Sequence, residues 1–336
     1  MAIMMNKRLK NKLFFFMVIF SLVGCQNTPI HEEKGLSSPT PTKNATVEKS
    51  PSSEKGWFGS SRTASSEKPT QRTCWDRSGE GRVFILAVGS NMGDLTETNR
   101  DATRFAKAMR ELFHVRQNRV CVLKNANKQE FVHALERLGD RRRVGADDLV
   151  IIFYSGHGTQ RDDDNNDEKD RLDEFFATYA KKIRTRYLLR DDQFSALIQK
   201  IPTPNILTVI DACFSAGLTK GKDSTERVKS LEGTIPSSGH IRVGTTLDPV
   251  KGVLLSAAME KQPAVELKGR GGRFTVFFLE ALKRARQTGQ PVDLLTVFDE
   301  THQKVYQHSK DNSKKTQQPV KKGSDEIFRR INGYIP

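Results

Sequence analysis

Two short stretches of this sequence place a reactive side chain in a turn of small residues, directly after an apolar run. "IIFYSGHGTQ" carries His157, and "ILTVIDACFSAG" carries Cys213. A cysteine attacks an acyl carbon as its thiolate, so it needs a neighbouring base, and an imidazole can take the thiol proton and later return it to the leaving amine. Either stretch alone fits a structural histidine or a small core cysteine. Together they predict a Cys/His dyad for acyl transfer.

The elements around these stretches alternate between strands and helices from Arg82 onward. Apolar runs such as "RVFILAVGS" and "DLVIIFYSG" predict buried strands, and apolar positions at helical spacing follow the first run. Strands that are apolar on both sides predict an α/β fold, a mainly parallel sheet with helices on both faces. Sites in such sheets lie at the carboxyl ends of the strands. His157 and Cys213 both fall there.

Both stretches resemble those of the metacaspases and the bacterial caspase-like peptidases (orthocaspases), whose hallmarks are an S-G-H-G turn and a D-x-C-x-S-G turn. The similarity includes "LLSAAMEKQPAVE" and "GGRFTVFFLEALK", and we assign residues 81–336 to this domain. It implies the caspase-like fold, a six-stranded sheet with one antiparallel edge strand. It also implies a cysteine endopeptidase with His157 as general base, Cys213 as nucleophile, and the backbone N–H groups of Gly158 and Cys213 as the oxyanion hole.

The resemblance further implies a preference for basic substrates. In metacaspases, acids at the positions of Asp101 and Asp211 line the S1 pocket, which holds the residue before the cut, and select Arg or Lys there. We place Ser155 in the same pocket. Taken alone, Asp211 fits a helix or turn cap, and Asp101 fits an exposed helical residue. A preference for Asp would need arginines in the pocket, and neither catalytic motif contains one.

The acidic loop "RDDDNNDEKDRLDE" suits calcium, which takes about 6 to 8 oxygen ligands. Many metacaspases need calcium, and the resemblance puts their ligand positions at Asp173, Asp191, Asp192 and Asp223. The loop departs from the family pattern because polar residues replace its usual glycines. A solvated loop without a metal is the alternative.

The long polar segment 218–250 carries Lys220, Lys222, Arg227 and Lys229. We expect it to be a flexible excursion from the sheet. A peptidase that cuts after basic residues could cut itself there, as members of the family often do. Autoprocessing within this segment is therefore a hypothesis that we draw from the sequence.

The N-terminus has the pattern of an export signal, assigned to residues 1–24. Basic residues precede the apolar run "LFFFMVIFSLVG", which is shorter than the roughly 20 residues that span a bilayer. The run ends in Leu22-Val23-Gly24-Cys25, which resembles the lipobox of bacterial lipoproteins, so Cys25 is the predicted lipidation site. A signal peptide with a chance cysteine is the alternative. By resemblance to lipoprotein sorting, Gln26 favours the outer membrane, facing the periplasm or the surface.

Residues 25–80 are rich in Ser, Thr, Pro, Lys and Glu, and they predict a lipidated flexible tether. Exported proteins sit in an oxidising compartment, where thiols pair. If Cys25 carries lipid and Cys213 is kept for chemistry, Cys74 and Cys121 are the pair left for a disulfide. This count alone leaves the bridged and unbridged forms both open.

Two other function classes are alternatives to the peptidase. The formal net charge of +15 would suit a nucleic-acid binder, but the basic residues are scattered and no nucleic-acid motif is present, so we predict no such partner. The second is a catalytically silent, membrane-tethered module that binds a partner with the same fold. The presence of both His157 and Cys213 argues against silence. By resemblance to metacaspases, we expect a monomer.

Overall fold

The structure is a computed structural model that describes residues 74–75, 82–162, 172–182, 184–214, 226–230, 251–259, 262–313 and 315–336. Its strands are β1 (Val83–Gly89), β2 (Val120–Lys124), β3 (Leu149–Ser155), β4 (Gly158–Asp162), β5 (Leu172–Ala177), β6 (Leu188–Arg190), β7 (Ile206–Asp211), β8 (Glu226–Val228), β9 (Val253–Ser256), β10 (Val265–Leu267), β11 (Gly271–Gly272) and β12 (Val320–Lys322). Its helices are α1 (Thr98–Leu112), α2 (Lys128–Leu138), α3 (Asp191–Gln199), α4 (Arg273–Gln287), α5 (Leu294–Asn312) and α6 (Asp325–Asn332).

The central sheet has six strands in the order β12, β9, β7, β3, β1, β2. Neighbouring strands are parallel except at one edge, where β12 pairs antiparallel with β9. Every residue of β1, β3 and β7 is buried, as their continuous apolar runs predict. The predicted mainly parallel sheet is confirmed, together with its antiparallel edge strand.

Helices cover both faces of this sheet. Because successive residues of a strand point to opposite faces, Ile85 and Phe153 join a core with residues of α1, α4, α5 and α6. Phe84 and Tyr154 join a second core with residues of α2 and α3. The carboxyl ends of β3 and β7 are therefore held between two packed layers.

The two helices that follow the first strands form for the reasons that the sequence indicates. In α1, the apolar residues Ala102, Phe105 and Met109 lie on one buried face. At the start of α2, Asn127 accepts from the backbone of Glu130 and the Glu130 side chain accepts from the backbone of Asn127. This reciprocal arrangement is a capping box, which satisfies two backbone N–H groups at the start of the helix.

Two small antiparallel sheets complete the described part of the chain, and neither was expected from the sequence. The first has the order β4, β5, β6 and starts directly after His157. The second has the order β11, β10, β8. Strand β8 lies within the segment 218–250, so the expectation of a flexible excursion is wrong at residues 226–230, where strand pairing and burial fix the chain. Lys220 and Lys222 lie outside the described residues.

A disulfide joins Cys74 to Cys121, with their Cα atoms 5.4 Å apart, and ties the segment before β1 to β2. The Trp75 indole N–H beside it donates to the carbonyl oxygen of Arg119 at 2.9 Å. The signal segment, Cys25 and most of the tether lie outside the described residues. Within those residues, none of the helices has the length and apolarity that crossing a bilayer requires.

Candidate active site

Two neighbouring strands bring the predicted catalytic turns together. Strands β3 and β7 pair in parallel with Ser155 opposite Asp211. His157 and Cys213 each follow this pair by two residues, so the register places both at the same edge of the sheet. A Cβ atom on Gly158 would lie 2.5 Å from the carbonyl oxygen of Cys213. The glycine is therefore required, because the two turns approach too closely for a larger residue.

Both reactive side chains are buried. The exposed fraction is 2% for His157 and 1% for Cys213. The thiol of Cys213 donates to the carbonyl oxygen of Gln262 at a distance of 3.4 Å. Nε2 of His157 lies 3.2 Å from Oδ1 of Asp94, a residue of the loop after β1 that the sequence did not single out. A carboxylate at this distance can hold the imidazole in one orientation.

The three predicted S1 residues, Asp101, Ser155 and Asp211, lie together and are fully buried. Oδ2 of Asp101 accepts from the Ser155 hydroxyl at 3.0 Å and from the backbone N–H of Gly272 at 2.9 Å. Oδ2 of Asp211 accepts from the backbone N–H and the hydroxyl of Thr275, at 3.1 Å and 2.6 Å. The two carboxylates are thus fixed by α1, β7 and the start of α4. The alternative of an exposed Asp101 is wrong.

The side chain of Lys229 fills this pocket and is itself fully buried. Its Nζ lies 3.0 Å from Oδ1 of Asp211 and 3.7 Å from Oδ2 of Asp101. It also donates to the Ser155 hydroxyl at 2.9 Å and to the carbonyl oxygen of Asp211 at 3.1 Å. One ammonium group therefore faces two carboxylates where water is excluded, an arrangement that strengthens their attraction.

The carbonyl oxygen of Lys229 lies on the two N–H groups predicted to form the oxyanion hole. The N–H of Gly158 donates to it at 3.0 Å and the N–H of Cys213 at 3.3 Å. Donors in this position stabilise the negative charge that develops on a carbonyl oxygen during nucleophilic attack. The Lys229 carbonyl is consequently the group that these two donors hold.

The backbone before Lys229 is held as an added strand. Residues of β8 pair antiparallel with β10, and the N–H of Lys229 donates to the carbonyl oxygen of Ala264 at 2.9 Å. Strand addition is a common way of binding an extended peptide, because the main chain supplies affinity and pockets for side chains supply specificity. The segment 226–230 is thus held by backbone pairing, by the buried contacts of the Lys229 side chain and by the hydrogen bonds to the Lys229 carbonyl oxygen.

Burial raises the pKa of Asp101 to about 6. The nearby Lys229 ammonium opposes this rise, and the carboxylate of Asp211 adds to it. The backbone N–H of Gly272 and the hydroxyl of Ser155 also favour the ionised form. Burial therefore has a larger effect on the pKa of Asp101 than the Lys229 ammonium.

The predicted calcium ligands do not form a complete site among the described residues. Asp173 lies on β5, and Asp191 and Asp192 begin α3. Oδ2 of Asp173 lies 3.3 Å from a guanidinium nitrogen of Arg190. The carboxylate of Asp173 therefore pairs with a positively charged side chain of the protein itself. No group of three acidic, His or Cys side chains that could hold a metal occurs among the residues described. Most of the acidic loop and Asp223 lie outside them, so calcium stays a prediction and no chemical step is assigned to it.

Replacing Gly272 with alanine should obstruct the S1 pocket. The added Cβ would lie 2.0 Å from Oδ2 of Asp211 and 2.4 Å from Nζ of Lys229. Because a displacement of about 1 Å near a reacting group can cost about a hundredfold in rate, we expect kcat/KM for lysine peptides to fall by about that factor. Gly145→Ala is the matched control, since its Cβ would make only ordinary contacts with Asp148. Equal rates for the two variants would contradict the pocket's assignment.

Comparison with known proteins agrees with this architecture. The caspase domain family model (Peptidase_C14) matches residues 81–325. The caspase-like fold predicted from the sequence is thereby confirmed. No curated protein matches the sequence.

The solved structures that are similar to the chain include two from different organisms. Protein GSU0716 from Geobacter sulfurreducens is 19% identical, with a TM-score of 0.49 over 73% of this chain and 94% of its own. Caspase-1 from Spodoptera frugiperda is 18% identical, with a TM-score of 0.45 over 72% of this chain and 86% of its own.

Proposed function

The chain belongs to the caspase domain family of cysteine peptidases, and we propose that it is an active endopeptidase that cuts after Lys or Arg and processes itself between Lys229 and Ser230. One observation carries this proposal. The chain's own Lys229 has its side chain in a pocket of two carboxylates and its carbonyl oxygen on the N–H groups of Gly158 and Cys213. Such contacts suit the residue before a scissile bond.

The proposed reaction uses Cys213 and His157 in two stages. The imidazole takes the thiol proton, and sulfur attacks the carbonyl carbon of the residue in the S1 pocket. The oxyanion that forms is held by the N–H groups of Gly158 and Cys213. His157 then gives its proton to the leaving amine, which for the chain itself is that of Ser230. In the second stage, water attacks the thioester with His157 as base, releasing the new carboxyl end and restoring the thiol.

A basic residue before the cut is favoured by the cost of leaving buried charges without a partner. Both Asp101 and Asp211 are fully buried, and a neutral side chain in the pocket would leave their charges uncompensated. Breaking a buried ion pair by removing one partner costs about 3 to 5 kcal/mol, because the remaining charge cannot be solvated. A substrate with Asp before the cut would add a third negative charge.

In the uncut chain, the segment 226–230 occupies the S1 pocket and both oxyanion donors. Other substrates are therefore excluded until the Lys229–Ser230 bond is cut and the new end leaves the pocket. The proposal thus includes self-inhibition by the uncut chain, relieved by processing.

Activity on lysine peptides should fall as the pH decreases through a midpoint of about 6. Burial raises the pKa of Asp101 to about 6. Protonation below the midpoint removes one of the two charges that face the substrate. The pH dependence of kcat/KM reports groups of the free enzyme. In Asp101→Asn this contribution to the acid limb should be lost, and an unchanged profile in that variant would contradict the assignment.

Two further proposals rest on the sequence alone. We propose that Cys25 carries a lipid that anchors the mature chain at the outer membrane, and that calcium promotes activity through the acidic loop. Mass spectrometry of the N-terminal peptide tests the first, since a cleaved signal with an unmodified cysteine would overturn it. Activity in the presence of a calcium chelator tests the second, since an unchanged rate would overturn it.

The test of the proposed function is hydrolysis of fluorogenic peptides that end in Lys, Arg or Asp by the full chain, with and without calcium. Cleavage after Lys and Arg but not after Asp is the expected result. Cleavage after Asp instead would overturn the basic preference. No cleavage of any peptide by the processed or unprocessed chain would favour the silent binding module.

A further inference from the structure

The peptide strand β8 makes charged contacts beyond the S1 pocket. Glu226, Arg227 and Val228 are the fourth, third and second residues before the Lys229–Ser230 bond. The pairing of β8 with β10 places Arg227 opposite Glu266. Both charged side chains of this strand meet a residue of opposite charge that is itself fully buried. These contacts define two subsites.

The first subsite, which we name S3, consists of Glu266 and Thr96. A guanidinium nitrogen of Arg227 lies 2.9 Å from Oε1 of Glu266 and 2.7 Å from the hydroxyl of Thr96. The carboxylate also accepts from the backbone N–H groups of Thr96 at 3.1 Å and Glu97 at 2.8 Å, next to the start of α1. Glu266 is thus held rigidly, with its negative charge directed at the third residue before the cut.

The second subsite, which we name S4, consists of Arg273 and Ser313. The Arg273 guanidinium forms an ion pair with the carboxylate of Glu226. The hydroxyl of Ser313 donates to the same carboxylate, at 2.9 Å and 2.7 Å from its two oxygens. Arg273 also donates to the side-chain carbonyl of Gln317 at 3.2 Å, a neutral partner that leaves its charge uncompensated. The fourth residue before the cut therefore meets a buried cation.

The buried positive charge of Arg273 favours an acidic side chain in the S4 subsite. Burial lowers the pKa of its guanidinium, and the negative charge of Glu226 is the largest effect that opposes this. When Glu226 leaves, a side chain with no exposed surface keeps its positive charge while losing its ion-pair partner. Refilling the site with a carboxylate restores the pair, whereas a neutral or basic side chain does not.

The S4 subsite and the S1 pocket share the turn at the start of α4. Gly272 donates to Asp101 in the S1 pocket, and Thr275, three residues later, donates to Asp211. Arg273 lies between them as the first residue of α4. A peptide that fills S1 with its basic residue thus has its fourth residue brought to Arg273 by the same element.

We infer that Glu266 and Arg273 determine substrate specificity beyond the S1 pocket, so that the preferred substrates are peptides with an acidic residue fourth and a basic residue third before the cut. This inference rests on the proposed function. The substrate class is therefore peptides in which the fourth residue before the cut is acidic, the third is basic, the second is of any type and the first is basic. The chain's own Glu226–Lys229 segment is one such peptide.

The first test compares fluorogenic tetrapeptides on the full, self-processed chain, all ending in Lys. The reference is acetyl-Glu-Arg-Val-Lys, and two others replace either Glu or Arg by Gln, which removes the charge and keeps the size. A fourth peptide, acetyl-Lys-Glu-Val-Lys, exchanges the charge order. Close charge pairs at binding interfaces are worth enough to change affinity at least about tenfold. We expect kcat/KM to fall by about that factor for each Gln peptide and by more for the exchanged one.

A variant then assigns the effect to a residue. In Glu266→Gln, the preference for Arg over Gln at the third position should be lost while the preference for Glu at the fourth position is kept. Glu326→Gln, on the exposed surface of α6, is the matched control and should keep both preferences. The peptide series needs no variant, so the inference is testable even if a substitution at a buried position impairs folding.

The outcomes separate this inference from the proposed function. Equal cleavage of all four peptides would overturn the subsites while leaving the preference for Lys before the cut intact. A preference that persists unchanged in Glu266→Gln would overturn the assignment of S3 to that residue. No cleavage of any of the four would overturn both, because then no lysine peptide is a substrate.

Discussion

Replacing Cys213 with alanine will leave the chain intact and abolish hydrolysis of lysine and arginine peptides. The thiol is the atom proposed to attack, and no other group in the described site can take its place beside the N–H groups of Gly158 and Cys213. Removal of the nucleophile from a catalytic dyad or triad lowers kcat by a factor on the order of 10⁴ to 10⁶. The measurement is the initial rate on a fluorogenic lysine peptide, together with gel analysis of the chain itself.

Stability is the control for this variant. Cys213 is a buried residue at the end of β7, and a loss of folding would also abolish activity. Alanine removes one sulfur atom and no charge pair. We therefore expect the thermal unfolding midpoint to change by only a few degrees and the free energy of unfolding to change by about 1 to 2 kcal/mol. A folded Cys213→Ala chain that still cleaves peptides, or still cuts itself, would contradict the role of the thiol.

Replacing Asp211 with asparagine will weaken cleavage after basic residues severely. Its Oδ1 lies 3.0 Å from Nζ of Lys229, and the asparagine keeps the shape and the contact with Thr275 while removing the charge. Truncating one partner of a buried charge pair costs about 2 to 5 kcal/mol, which is about 30-fold to several thousandfold in kcat/KM. For lysine and arginine peptides we expect a decrease in kcat/KM in the upper part of this range.

An aspartate outside the site provides the comparison for this variant. Asp299 is exposed on α5, and Asp299→Asn changes the net charge of the chain by the same amount. The Asp299→Asn chain should cleave lysine peptides at the same rate as the unmodified chain. If Asp211→Asn retains full kcat/KM on lysine peptides, the pocket of Asp101 and Asp211 does not recognise the basic residue.

The elements that position the dyad were predictable because their signals are local. The apolar runs of β1, β3 and β7 are buried on both faces, so their sequences carry the pattern themselves. His157 and Cys213 follow two of these strands at the same distance. Asp101 and Asp211 came from the family resemblance rather than from spacing, because an aspartate in a helix or after a strand has many other uses.

The occupant of the site was not predictable in the same way. The segment "ERVKS" is polar, and nothing in its own sequence indicates a strand. Its order comes from residues distant in the chain, since Arg227 pairs with Glu266 and Glu226 with Arg273. Asp94 near His157 is a similar case, because only the fold of the loop after β1 brings it there. Such contacts depend on tertiary structure, which a local pattern does not encode.

We propose above all that the chain presents its own Lys229–Ser230 bond to Cys213. The most direct measurement is the intact mass and N-terminal sequence of the fragments formed when the purified chain is incubated with and without calcium, beside Cys213→Ala and Lys229→Gln. We predict a new N-terminus at Ser230 that is absent from both variants. An intact chain under both conditions, or fragments that leave the bond before Ser230 uncut, would contradict it.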